Sequence, residues 1–169
     1  MEPIGRSHFE LFGLPERFAI DREALDAAYL RVQGAVHPDR FAAAGDAERR
    51  VAMQWAAQAN EAIRTLRDPV RRGAYLAERR GAPISAESNT AMPAGFLMRQ
   101  MGWRESLEAL RDAPDEPARD ALRDEVEAER DALLAALAAS LDERDDPREA
   151  ASIVRRLMFV ERFAQELDD

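Results

Sequence analysis

His37 and Asp39 stand two residues apart around Pro38, and their types and spacing make them the first candidates for chemistry in the chain. An imidazole beside a carboxylate can ligate a metal, move a proton, or be displayed for another protein to grip. A metal site needs further ligands, and none lies nearby in the sequence. A catalytic His–Asp pair needs a nucleophile to activate, and none stands in range. Display requires only rigidity. Proline supplies it by fixing φ, so the two flanking side chains occupy set positions. Such a tripeptide arises by chance in roughly one chain of this length per hundred, so its place in the fold decides its meaning.

Composition narrows the chemistry further. None of the 169 residues is cysteine, which excludes disulfides, thiolate zinc sites and a cysteine-ligated iron–sulfur cluster held by this chain. The only histidines are His8 and His37, so a histidine-rich metal site is excluded too, and no cofactor is expected. Hydrophobic residues make up 46% and charged residues 34%, as in a globular protein. No run of eighteen apolar residues predicts a membrane span, and the N-terminus lacks the apolar stretch of a secretory signal. A cytoplasmic address is expected. All 24 basic residues are arginine. Residues 1–80 carry 13 arginines against 12 acids, a net of +1, while 81–169 carry 11 against 21, a net of −10. That asymmetry predicts two modules, and the acidic second half argues against nucleic acid.

Helix signals position the tripeptide. Ser7-His8-Phe9-Glu10 reads as a capping box, and the short helix it opens should stop at Gly13. Asp21 is a good N-cap for a second helix, whose apolar stripe is Leu25, Tyr29, Val32 and Val36. Pro38 ends it, because the residue before a proline is pushed out of the α region. A loop from Arg40 to Gly45 leads to a long helix from Asp46 to about Leu66, and Asp68-Pro69 starts another. The tripeptide therefore sits at the tip of a helical hairpin. Residues 81–93 read as linker and loop. Three more helices are predicted at about 93–111, 116–141 and 146–167, with short turns at Pro114 and Pro147 that favour an antiparallel three-helix bundle. In the middle one, Leu122, Val126, Leu133 and Leu137 supply a packable face.

His37-Pro38-Asp39-Arg40-Phe41 between two helices resembles the J-domain signature. Four further stretches resemble the iron–sulfur co-chaperones called HscB: Phe9 to Pro15, Ala59 to Pro69, Arg72 to Leu76, and Phe96 to Met101. With the last helix, the likeness covers nearly the whole chain. It implies an all-α protein with a J-domain at 1–80, a linker at 81–92 and a three-helix scaffold-binding domain at 93–169. It also implies no catalysis by the chain itself. The J-domain would bind a DnaK-class ATPase chaperone (HscA type) and stimulate its ATP hydrolysis, while the bundle would hold the cluster scaffold protein (IscU type). Carried onto this sequence, His37, Pro38 and Asp39 would touch the chaperone, with Asp39 accepting a charge-assisted hydrogen bond from an arginine. Arg40 replaces the family's usual lysine. The helix before the tip has only Arg22 and Arg31 as basic residues, so docking would lean on Arg31 and Arg40. The cysteine-containing zinc module of eukaryotic relatives is absent, which favours the bacterial form. A general protein-folding J-protein is the alternative, against which stand the missing Gly/Phe-rich stretch and missing cysteines.

The fifth helix carries a second apolar face. At about 100° per residue, Phe96, Trp103, Leu107 and Leu110 fall within roughly 60° of one another and make a core stripe. Leu97, Met98 and Met101 point roughly the opposite way. In the last helix Ile153, Leu157, Val160 and Leu167 make the core stripe, while Met158 and Phe159 are expected to point elsewhere. Exposed Leu, Met and Phe ringed by acids suit an adaptable partner site; packing against the J-domain is the competing use. Glu105 matches a scaffold-contacting position of the family. Gly102 and Ala109 stand where the family usually has acids, so this site should be more apolar than usual. The scaffold-binding residues expected are Leu97, Met98, Met101, Glu105 and Phe159.

Overall fold

The computed structural model describes residues 7–41, 45–84 and 92–168. Among these, every regular element is helical: α1 (His8–Phe12), α2 (Arg22–Val36), a 3-10 turn (Pro38–Phe41), α3 (Asp46–Arg67), α4 (Pro69–Arg79), α5 (Ala94–Asp112), α6 (Glu116–Asp142) and α7 (Pro147–Asp168). Of the expected loop from Arg40 to Gly45, residues 42–44 lie outside the described residues; of the expected linker, residues 85–91 do.

The helix ends follow from local chemistry. Ser7 Oγ accepts the Glu10 N–H at 3.1 Å while the Glu10 carboxylate accepts the Ser7 N–H at 2.8 Å, completing the reciprocal cap. Gly13 closes α1 at φ 67°, where a side chain would be strained. Asp21 Oδ1 accepts from Glu23 and Ala24 N–H at 2.9 and 3.1 Å, and Asp68 Oδ1 likewise caps α4 through Val70 and Arg71.

The chain divides into two compact units, Met1–Leu76 and Ala77–Asp169, the division falling inside α4. Just past that helix, Arg80 donates to the Leu141 carbonyl and pairs with Asp145 at 3.1 Å, both within the second unit.

In the first unit, α2 and α3 form an antiparallel hairpin, as the cross-pairs Asp26–Arg67 and Tyr29–Asn60 require. Small residues at the seam (Ala28, Ala52, Ala59 and Ala62, all buried) let the backbones approach closely. Phe9 and Phe12 of α1, Leu25 of α2 and Leu66 of α3 are all buried. The expected α2 stripe holds at Leu25 and Val36, whereas Tyr29 and Val32 are only half-buried. Tyr29 keeps its hydroxyl at the rim, as its amphipathic ring favours.

In the second unit the buried residues of α5 are Phe96, Trp103, Leu107 and Leu110, as the helical spacing predicts. Leu122, Val126, Leu133 and Leu137 on α6, and Ile153, Leu157, Val160 and Leu167 on α7, are also buried. Trp103 stacks on Phe163 with centroids 5.4 Å apart, joining α5 to α7. Arg119 donates to the Leu167 carbonyl, and Arg123 pairs with Asp168 at 3.2 Å, so α6 and α7 run antiparallel.

Candidate functional site: a displayed tip and an exposed apolar face

The tip is built by the end of α2. His37 is the C-cap, with extended ψ of 132°, which is where a residue before proline must go. The chain then tightens into the 3-10 turn, closed by Arg40 N–H donating to the His37 carbonyl at 3.0 Å. The Asp39 N–H donates to His37 Nδ1 at 3.3 Å, and Asp39 Oδ2 lies 3.6 Å from the same nitrogen. Nδ1 cannot accept and carry a proton at once. The hydrogen-bonding distance favours the acceptor role, so in the neutral ring the N–H sits on Nε2. The side chains of His37 and Asp39 are 53% and 90% exposed, so the turn orders them without burying them. The Asp39 carboxylate is thus open to a cation from another molecule.

Arg40 folds back: Nη1 donates to the Gly34 carbonyl at 3.1 Å, satisfying an orphan acceptor at the C-terminus of α2. Its charge also complements that end of the helix dipole. Arg31 is exposed and makes no ion pair among the described residues. The structure therefore brings His37, Asp39 and Arg40 together at one turn, with Arg31 two helical turns back on α2.

The hairpin is cross-braced along its length by contacts that sequence reasoning missed. Tyr29 Oη donates to Asn60 Oδ1 at 2.9 Å, and Gln33 Nε2 donates to Tyr29 Oη at 3.3 Å. Arg67 donates through Nε and Nη2 to Asp26 Oδ1 at 3.0 and 2.9 Å. The Tyr29–Asn60 and Asp26–Arg67 partners lie 31 and 41 residues apart, beyond any local pattern. Only the antiparallel register of α2 and α3 could have disclosed them.

On α5, Leu97, Met98 and Met101 are 44%, 74% and 63% exposed, on the face turned away from the core stripe. Glu105 continues that face and is exposed. Arg99 pairs with Glu129 and Arg104 lies 3.8 Å from Glu166, so the arginines beside the patch are engaged with acids of α6 and α7.

Phe159 needs a correction. It was expected to point away from the core, but its ring is half-buried, packed edge-on against Phe96 at 5.9 Å and stacked near Phe163 at 6.4 Å. The Arg104 guanidinium lies 5.7 Å from its centroid. The cause is α5 itself, whose aromatic residues extend the core sideways to meet α7. Phe159 thus stands at the α5–α7 junction, part core and part surface, while Met158 is 49% exposed.

Among the described residues no group of three or more His, Asp or Glu side chains could hold a metal ion, and no helix is long and apolar enough to cross a membrane.

Residues 92–168 match the family described as the HSCB C-terminal oligomerisation domain. Over 167 residues the chain is 57% identical to a co-chaperone protein HscB homolog of Burkholderia mallei (strain SAVP1), covering 99% of this chain and 95% of that relative. The homolog of Burkholderia cenocepacia is 55% identical over the same coverage. Chaperone HscB from Vibrio cholerae superposes with a TM-score of 0.82 at 36% identity, over 96% of both chains. Human co-chaperone protein HscB gives 0.89 at 25% identity, over 99% of this chain and 83% of that one. With an all-α build, a hairpin displaying His37 and Asp39, and likeness along nearly its full length, the chain belongs to the HscB co-chaperone family.

Proposed function

We propose that the chain is an adaptor between two proteins in iron–sulfur cluster assembly, working in the cytoplasm and catalysing nothing itself. A J-module over 1–80 docks on a DnaK-class ATPase chaperone of the HscA type and stimulates its ATP hydrolysis. A bundle over 93–169, reached through 81–92, holds an iron–sulfur scaffold protein of the IscU type and delivers it. His37, Pro38, Asp39, Arg40 and Arg31 form the chaperone contact. Asp39 offers an open carboxylate to a chaperone arginine, and Arg31 supplies a nearby positive charge. Leu97, Met98, Met101, Glu105 and Phe159 form the scaffold contact: the exposed thioethers adapt to the partner, and Phe159 anchors the edge.

The observation that carries this reading is the tip, where an ordered turn holds two polar side chains out to solvent at the end of a braced hairpin. The test is an ATPase assay of the purified chain alone, with the chaperone, and with chaperone plus scaffold. No turnover is expected alone, acceleration with the chaperone, and a further rise with scaffold. Turnover by the chain itself, or no acceleration of the chaperone, would overturn the reading.

A further inference from the structure

Behind the tip, between α2 and α3, lies a hollow of about 240 Å³ lined by Gln33, Val36, His37, Ala56, Ala59 and Asn60. It exists because α3 carries alanine at both positions 56 and 59, where a larger residue would fill the seam. Its floor is apolar: Val36 and Ala59 are buried and Ala56 is half-buried. Its rim is polar but uncharged, made by the amides of Gln33 and Asn60 and the ring of His37. Asn60 and Gln33 are already tied to Tyr29, so the rim is held in place before anything arrives.

Size excludes most occupants. Small-molecule sites occupy roughly 300–1,000 Å³, so this hollow is too small for a nucleotide or cofactor. It has room for one or two side chains. The absence of a charged lining residue disfavours a charged occupant, whose desolvation nothing would offset. The hollow is also continuous with the displayed tip, since His37 belongs to both.

We propose that this hollow is a socket on the chaperone-docking surface, taking an uncharged aliphatic side chain of the ATPase chaperone as His37 and Asp39 engage it. His37 then has two roles, as a contact and as one wall of the socket. The inference rests on the tip being the chaperone contact, and the experiment separates the two ideas.

Ala56→Leu fills the socket without changing any residue of the tip, and leucine is a good helix former, so the fold should keep or gain stability. Ala57→Leu makes the same change one residue on, at an exposed position outside the socket. Stimulation of the chaperone's ATPase is titrated for both variants, for the parent chain and for His37→Gln, alongside thermal melts. The expected result is about a tenfold rise in the concentration of Ala56→Leu needed for half-maximal stimulation, with Ala57→Leu at the parent value. Parent-like stimulation by Ala56→Leu, with His37→Gln inactive, overturns the socket and leaves the chaperone reading standing. Full activity of His37→Gln overturns both. Should Ala56→Leu fail to fold, amide resonances of the unmodified chain decide. Ala56 and Ala59 should shift when chaperone is added, and unmoved resonances there overturn the socket.

Discussion

The double change Met98→Ala and Met101→Ala separates a partner surface from a structural one, because the two residues are 74% and 63% exposed. Fully burying a methionine side chain is worth roughly 1.5–3 kcal/mol, so the unburied portions leave about 2–4 kcal/mol to be gained when a partner covers both. Binding recovers only part of such area, yet a loss of at least tenfold in scaffold affinity, about 1.4 kcal/mol, should follow. The folded chain has much less at stake. The buried remainder of the two side chains is worth about 1–2 kcal/mol, reduced by the compactness of real unfolded chains and by alanine's better helix propensity. A net cost below about 1 kcal/mol lowers the melting temperature by less than about 6 °C in a unit of this size. Phe159→Ala behaves differently, because it removes ring contacts to Phe96 and Phe163. That change should cost about 2–3 kcal/mol and depress melting by 10 °C or more, so lost binding there cannot be separated from damage. Calorimetric titration with scaffold, paired with thermal melts, reads both effects. A stable methionine double variant that binds at full affinity would refute the partner-surface reasoning; a large drop in its melting temperature would refute the assignment of these residues to the surface.

Three further outcomes are expected. His37→Gln should leave helix content and melting nearly unchanged, since a half-exposed loop-tip residue supports little packing, while stimulation of the chaperone's ATPase collapses; normal stimulation would refute the role of the tip. Asp21→Ala removes the side chain that accepts from Glu23 and Ala24, and should cost about 1 kcal/mol, seen as a fall of roughly 4–8 °C in the first unit's melting. After dialysis against a chelator the isolated chain should be colourless and free of iron and zinc by elemental analysis, because it has no cysteine and its described residues gather no ligand cluster; stoichiometric bound metal would contradict this.

The helices were legible because their boundaries are written in consecutive residues. Ser7 with Glu10, Asp21, and Asp68 before Pro69 each satisfy backbone groups within three positions of themselves, and each appears in the structure as the caps they imply. The core stripes of α5, α6 and α7 were equally accessible, since one angular step per residue sorts buried from exposed. Phe159 resisted that treatment. Its angle on α7 places it off the main stripe, but a large ring reaches sideways, and Phe96 on another helix stands within reach. Periodicity describes one helix at a time, whereas an aromatic contact between helices depends on how they are set against each other.

The same distinction explains why the sequence discloses the displayed tip more readily than the proposed socket behind it. The tip is three consecutive residues whose geometry is fixed by proline and by hydrogen bonds spanning no more than six positions, so its chemistry survives in the linear order. The socket behind it has no such signature. Ala56 and Ala59 look like ordinary helix filler, and Gln33 and Asn60 look like surface amides. Only when α2 and α3 close into a hairpin do two missing side chains become a space, and two amides tied to Tyr29 become its rim. A site made of what is absent is invisible to motif reading. Ala56→Leu is the change expected to fill it.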